Sequence, residues 1–226
     1  MQLVLLEIAN FRGVRSGRIV LGRHSVFVGP NNCGKTTIFE ALALLFGRDR
    51  LVRSLTEHDF FGGSPAPQDR IKVIATVGGF EGDDFTAYPT WFGDNRGVPK
   101  WFDPGTSAVH ATRTNAAWPL VCQIAFAARF DRDSLEVETA RYFHDDPQAP
   151  DVFEQGTWVS VPTTLIREVG LFLVPANRAW DKVISFGSEL FRRIVVSGGG
   201  LPAAAVIEER DALRNPAKPL EEDPHL

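Results

Sequence analysis

The stretch Gly29-Pro-Asn-Asn-Cys-Gly-Lys-Thr-Thr37 constrains this chain more than any other. It reads G-x-x-x-x-G-K-T, the spacing of a loop whose backbone amides close around phosphate. Such a loop needs a strand before it and a helix after it. Ser25 to Val28 is short, apolar and β-branched, and reads as a buried strand. Thr37 to Phe46 is almost wholly apolar, interrupted only by Glu40, and long enough for a helix. A helix apolar on every side is expected between layers, not on a surface. Gly47 stands where a helix-ending glycine is expected.

Ahead of the loop, Leu3–Ile8 is an apolar run and Gly17–Leu21 a second one, separated by Asn10-Phe-Arg-Gly13. Two strands around a turn are expected there, so the loop follows a third strand. Beyond the helix, Asp59–Pro65 reads as a loop and Arg70–Val77 as a strand. Gly78–Pro119 has little periodicity but carries Tyr88, Trp91, Phe92, Trp101, Phe102 and Trp118. Aromatics in such a stretch pack beneath a long loop or stack on bases. Packing is the expectation, since only Arg96, Lys100 and Arg113 accompany them. Leu120–Phe130 and Leu135–Thr139, around Asp131–Ser134, read as a hairpin, and Thr157–Val161 as a shorter strand. Gly170–Val174 reads as a buried strand ended by Pro175. Trp180–Val195 has helical spacing, Ser197–Gly200 stops it, and Pro202 opens a last helix.

Composition narrows the class. Of 226 residues, 44% are hydrophobic and 23% charged, a mix that builds a globular core. No apolar run approaches the roughly 20 residues of a membrane helix, and the N-terminus is not a secretory signal. The 2 cysteines are Cys33, inside the loop, and Cys122, so a reducing cytoplasmic home is expected. Net charge is −4, which gives no global signal for nucleic acid. Positive charge gathers in the first 60 residues, as expected where triphosphate binds.

The chemistry expected of the loop is specific. Amides from Asn31 to Thr36 cradle phosphates at a helix N-terminus. Gly29 and Gly34 permit close backbone approach, and Pro30, Asn32, Cys33 and Thr37 complete the segment. Lys35 reaches the β- and γ-phosphates, and Thr36 gives its hydroxyl to Mg²⁺. Hydrolysis also needs an acid at the end of a buried strand. Asp131 follows an apolar run but falls in a turn, and Gly170–Val174 is followed by no acid. No water-activating carboxylate is identified, and Ser197–Gly200 is read as a helix stop, not an ABC signature.

At Leu6-Glu-Ile-Ala-Asn-Phe-Arg-Gly13, Phe27–Thr37 and Glu40-Ala-Leu42 the chain resembles the RecF and chromosome-maintenance group of ABC-type ATPases. Within that group it looks most like the OLD family of ATP-dependent endonucleases, also at Val174-Pro-Ala-Asn-Arg178. The resemblance implies an α/β P-loop NTPase fold of ABC-ATPase type. Its mixed sheet would surround the P-loop helix, with an antiparallel β subdomain, incomplete at the C-terminus. Residues 1–215 would form the N-terminal part of the ATPase head and 216–226 a polar tail at a truncation. It implies ATP and Mg²⁺ as cofactors, Arg12 near the nucleotide, self-association through paired heads, DNA as a partner of a longer protein, no membrane, and a Toprim nuclease domain absent from this chain. The alternatives are a RecF-like repair ATPase and a nucleotide-sensing regulator without turnover. A transporter's energising subunit would carry a glutamine near Val73–Phe80, and none is there.

Overall fold

The computed structural model describes residues 1–47, 55–146, 148, 151–155, 158–171 and 173. The chain divides between Leu171 and Phe172, and the unit Met1–Leu171 is described below. The expected helix at Trp180–Val195, the Ser197–Gly200 stop and the helix after Pro202 lie outside the described residues.

The first strand, β1 (Gln2–Phe11), and β2 (Val14–Val20) form an antiparallel pair with Leu5 opposite Val20 and Phe11 opposite Val14. The turn between them is two residues long. It places Arg12 at a left-handed φ of 50°, which a non-glycine residue adopts only under constraint. Helix α1 spans Lys35–Phe46, close to expectation. Next come β3 (Ile71–Gly78), a short α2 (Pro89–Phe92), and the small strands β4 (Lys100–Asp103) and β5 (Ala108–His110). The long hairpin of β6 (Leu120–Asp131) and β7 (Glu136–Phe143) follows, then α3 (Val152–Gln155) and α4 (Thr163–Val169).

The seven strands make one sheet in the order β2-β1-β3-β6-β4-β5, with β7 also paired to β6. The long β6 carries β3 along one edge. Its first residues pair with β4 and the remainder with β7. Every strand pair among the described residues is antiparallel. Among the described residues the sheet is therefore antiparallel and not the expected mixed one. A parallel pair requires a crossover, whereas hairpins and antiparallel returns account for all the pairings seen.

One face of the sheet holds the main core. Ile71, Val73, Ala75 and Val77 alternate along β3, and Cys122, Ile124, Phe126 and Ala128 alternate along β6 beside them. Period-two alternation puts each set on a single face. Leu42, Leu45 and Phe46 of α1 lie against that face with Leu165 and Ile166 of α4. Arg141 of β7 donates from Nε to the carbonyl of Leu44 at 2.8 Å and from Nη2 to that of Gly47 at 3.3 Å, so a cation closes the C-terminal end of α1. Gly47 is required for space and not for a left-handed backbone. Its φ is −78°, but an added Cβ would stand 2.2 Å from the carbonyl oxygen of Ala43.

The aromatics of the irregular stretch pack, as expected. Trp91 is fully buried, and Phe80 lies edge-on to Tyr88 and Trp91 with centroids 5.0 and 5.4 Å away. Trp118 stacks on His110 at 4.4 Å. Of the expected strand Thr157–Val161, the described residues 158–161 form a single antiparallel bridge, Ser160 to Tyr142, with the Phe143 amide donating to the Val159 carbonyl at 3.0 Å and the Val161 amide to that of Arg141 at 3.3 Å. Gly170, Leu171 and Leu173 are not in a strand either: Gly170 adopts φ 70° and caps α4.

A larger correction concerns Ser25–Val28. The segment is not a strand, and Val26 and Val28 are 85% and 90% exposed. Its apolar, β-branched composition states a demand for burial, but β-structure needs a hydrogen-bonding neighbour, and no described strand runs beside it. Phe27 alone makes an aromatic contact, edge-on to Phe39 of α1 at 5.8 Å.

Candidate phosphate-binding site

The loop is built by its own backbone. Asn32 takes φ 64° and Gly34 takes φ 92°, two left-handed residues that curl the chain into the first turn of α1. Gly34 then accepts the first helical hydrogen bond, from the amide of Ile38 at 3.2 Å. A Cβ on Gly29 would stand 2.8 Å from Cys33 Sγ, so the two ends of the loop approach closely only because Gly29 has no side chain. Gly29–Cys33 and Thr36 are exposed, Gly34 and Lys35 partly so, and Thr37 is buried.

Lys35 folds back across the loop. Its Nζ donates to the carbonyls of Gly29 at 2.7 Å and Pro30 at 2.6 Å, with Cys33 Sγ at 3.6 Å. The ammonium thus sits against the loop's own carbonyls, at the N-terminal end of α1, an end that favours an anion.

Arg12 lies in the β1–β2 turn, two residues before Val14, the first residue of β2, whose Cγ2 stands 3.8 Å from the place of a Cβ on Gly34. Arg12 Nε donates to Asp59 Oδ1 at 2.8 Å, and Nη1 pairs with Glu40 Oε2 of α1. Burial opposes the charge, but the hydrogen bonds to Asp59 and Glu40 together outweigh it and raise the guanidinium pKa above its ordinary value. Glu40 and Asp59 did not register as site residues in the sequence, being 28 and 47 positions from Arg12. The one signal available was Glu40, the lone acid on the largely apolar helix α1.

Residues 1–85 match the family model of an AAA ATPase domain. That span contains β1, β2, the loop, α1 and β3, and so every candidate residue named above. It supports an ATPase-type segment over this part of the chain. A solved structure from work on the structural biochemistry of ATP-driven dimerization and DNA stimulated activation of SMC ATPases is similar to this chain, with a TM-score of 0.45 and 13% identity, covering 88% of this chain and 100% of that one. A likeness that loose places no residue. No curated protein matches the chain at a significant level.

The residues present fit a nucleoside triphosphate with Mg²⁺. A glycine-gated loop, a lysine folded over it and an exposed Thr36 at the helix start are the donor set such a ligand requires. Among the described residues no group of three His, Cys, Asp or Glu side chains forms a metal cage. Asp131, the nearest sequence candidate for a strand-end acid, is a turn cap. Its Oδ1 accepts from Asp133 N at 2.9 Å and its Oδ2 from Ser134 Oγ at 3.0 Å. Among the described residues no helix is long and apolar enough to cross a membrane.

Proposed function

We propose that this chain is the nucleotide-binding part of an ABC-type ATPase head belonging to an OLD-like, ATP-dependent DNA endonuclease. One observation carries the nucleotide reading: Lys35 is held over a glycine-gated loop at the start of α1, within a span that matches an AAA ATPase domain. In this reading the amides of Asn31–Thr36 bind the phosphates, Lys35 exchanges the loop carbonyls for β- and γ-oxygens, and Thr36 holds Mg²⁺, which would neutralise phosphate charge. Arg12 contributes a second cation from the β1–β2 turn. The endonuclease assignment rests on the resemblance at Leu6–Gly13, Phe27–Thr37, Glu40–Leu42 and Val174–Arg178. In it, ATP brings two heads together and a separate nuclease module cuts DNA.

Equilibrium titration with MgATP and a phosphate-release assay, on the wild type and Lys35→Ala, test this. Binding is expected in the wild type and a loss of at least about tenfold in Lys35→Ala, the equivalent of one charge-assisted hydrogen bond. Equal binding by both proteins refutes the site. ATP binding without phosphate release, with or without DNA, would favour a nucleotide sensor over a turning-over head.

A further inference from the structure

Arg12 is the most heavily tethered side chain near the loop, and its tethers come from two separate elements. Glu40 projects from α1, five residues beyond Lys35, or about 7.5 Å along the helix axis. Asp59 belongs to a short turn of 3₁₀-helix, Glu57–Asp59, that follows α1 in the chain. That turn is itself fixed. Thr56 and Asp59 form a reciprocal capping box, with the amide of Thr56 donating to Asp59 Oδ2 at 3.0 Å. The amide of Arg12 donates to the carbonyl of Asp59 at 2.7 Å, and the amide of Phe61 to that of Asn10 at 3.1 Å. Phe60, 1% exposed, bridges to Phe11, equally buried. Asp59 is therefore braced from its backbone and from one carboxylate oxygen, which leaves the other to hold Arg12.

A guanidinium has a fixed planar fork of five N–H donors. Here Nε and Nη1 are taken by the two carboxylates, and Nη2 has no partner among the described residues. The side chain remains 38% exposed. An arginine held on two sides, with one edge open next to a phosphate loop, has already given up the rotamer freedom that binding an anion would otherwise cost it.

We propose that Glu40 and Asp59 are positioning residues that fix Arg12 for contact with the nucleotide's phosphates, and that the Leu55–Gly63 segment thereby forms part of the nucleotide site. This rests on the nucleotide reading above. A competing effect has the opposite sign. Each carboxylate also repels a triphosphate, so neutralising one without disturbing Arg12 would strengthen binding. Positioning predicts weaker binding and simple repulsion predicts tighter binding.

The test is a double-mutant cycle on the full chain, read by titration with MgATP and with inorganic tripolyphosphate, which has phosphates and no base. Glu40→Gln keeps the shape of the side chain, and Asp59→Asn keeps an oxygen for the Thr56 amide, so folding is preserved; thermal melts confirm it. Each change is expected to weaken both ligands about tenfold, the effect of one lost charge-assisted bond. Neither is expected to weaken them further in an Arg12→Ala background. Unchanged or tighter binding in both single variants overturns the proposal, as do losses that persist in full without Arg12. If instead the wild type binds neither ligand, or Lys35→Ala binds as the wild type does, the nucleotide reading itself fails.

Discussion

His144 gives a prediction whose size follows from its surroundings. It lies just past β7, 6% exposed, with its amide donating to the carbonyl of Gln123 at 2.9 Å. Its carbonyl accepts from the buried ammonium of Lys100 at 2.5 Å, and Lys100 also donates to Gln123 Oε1 at 2.9 Å. Burial, aided by the positive charges of Lys72 and Lys100 and opposed by Asp146, lowers the imidazole pKa from 6.5 to about 4. The unfolded chain therefore takes up a proton near pH 6.5, and the folded chain only near pH 4. The contribution to stability is complete above pH 6.5, shrinks as pH falls through that window, and is gone below pH 4. For this one group the loss is about 1 kcal/mol at pH 5.5 and about 2 to 3 kcal/mol at pH 4.5. His144→Gln removes the titration. Urea unfolding of both proteins at pH 7.5, 5.5 and 4.5 isolates it, because carboxylate titrations common to both cancel in the difference. The wild type should lose about 2 to 3 kcal/mol more than the variant between the extremes. Parallel pH curves, or an imidazole midpoint above pH 6 by NMR, would refute the reasoning.

Gly97→Ala should destabilise by about 1 to 3 kcal/mol, because the new Cβ would stand 2.6 Å from Cys122 Sγ and 2.8 Å from the Phe143 ring. An unchanged melting temperature would contradict the packing described there. Trp91→Ala removes a fully buried indole from the Phe80 cluster and should cost about 3 to 5 kcal/mol in denaturant unfolding. A cost below about 1 kcal/mol would show that Trp91 is not core.

The sequence told most where local chemistry and burial coincide. α1 was legible because its apolar run, loop and stopping glycine all lie within one short segment. The β6–β7 hairpin was legible from the long apolar run Leu120–Phe130 before Asp131–Ser134 and the acidic–apolar alternation of Leu135–Thr139 after it. The small strands β4 and β5 were not. Lys100 opens β4 and is 3% exposed, a buried charge that no pattern rule places in a core, and its partners Gln123 and His144 lie far along the chain. α4 was missed for a related reason: at seven residues it is too short to show helical periodicity. Ser25–Val28 erred in the other direction. Its residues have strand character, but strand formation belongs to a pair of segments, and composition describes only one of them. Within the site, the loop residues were readable and the acids that grip Arg12 were not, because they meet it only through the fold.

The exposure of Val26 and Val28 has a thermodynamic consequence for the loop they feed. On one side Gly29–Thr37 is anchored to α1, whose last six residues are all buried. On the other it continues from Ser25–Val28, which has no backbone–backbone hydrogen bond among the described residues. A ligand that needs the curled loop must hold both ends, so its apparent affinity falls in proportion to the fraction of molecules in which the free end is in place. A segment that paired with Val26 and Val28 would raise that fraction and tighten the ligand without touching it. Linkage makes the effect mutual: a bound ligand strengthens that pairing by the same factor. Under the nucleotide reading proposed above, a partner for Ser25–Val28 would thus act on the loop from the side opposite to the helix.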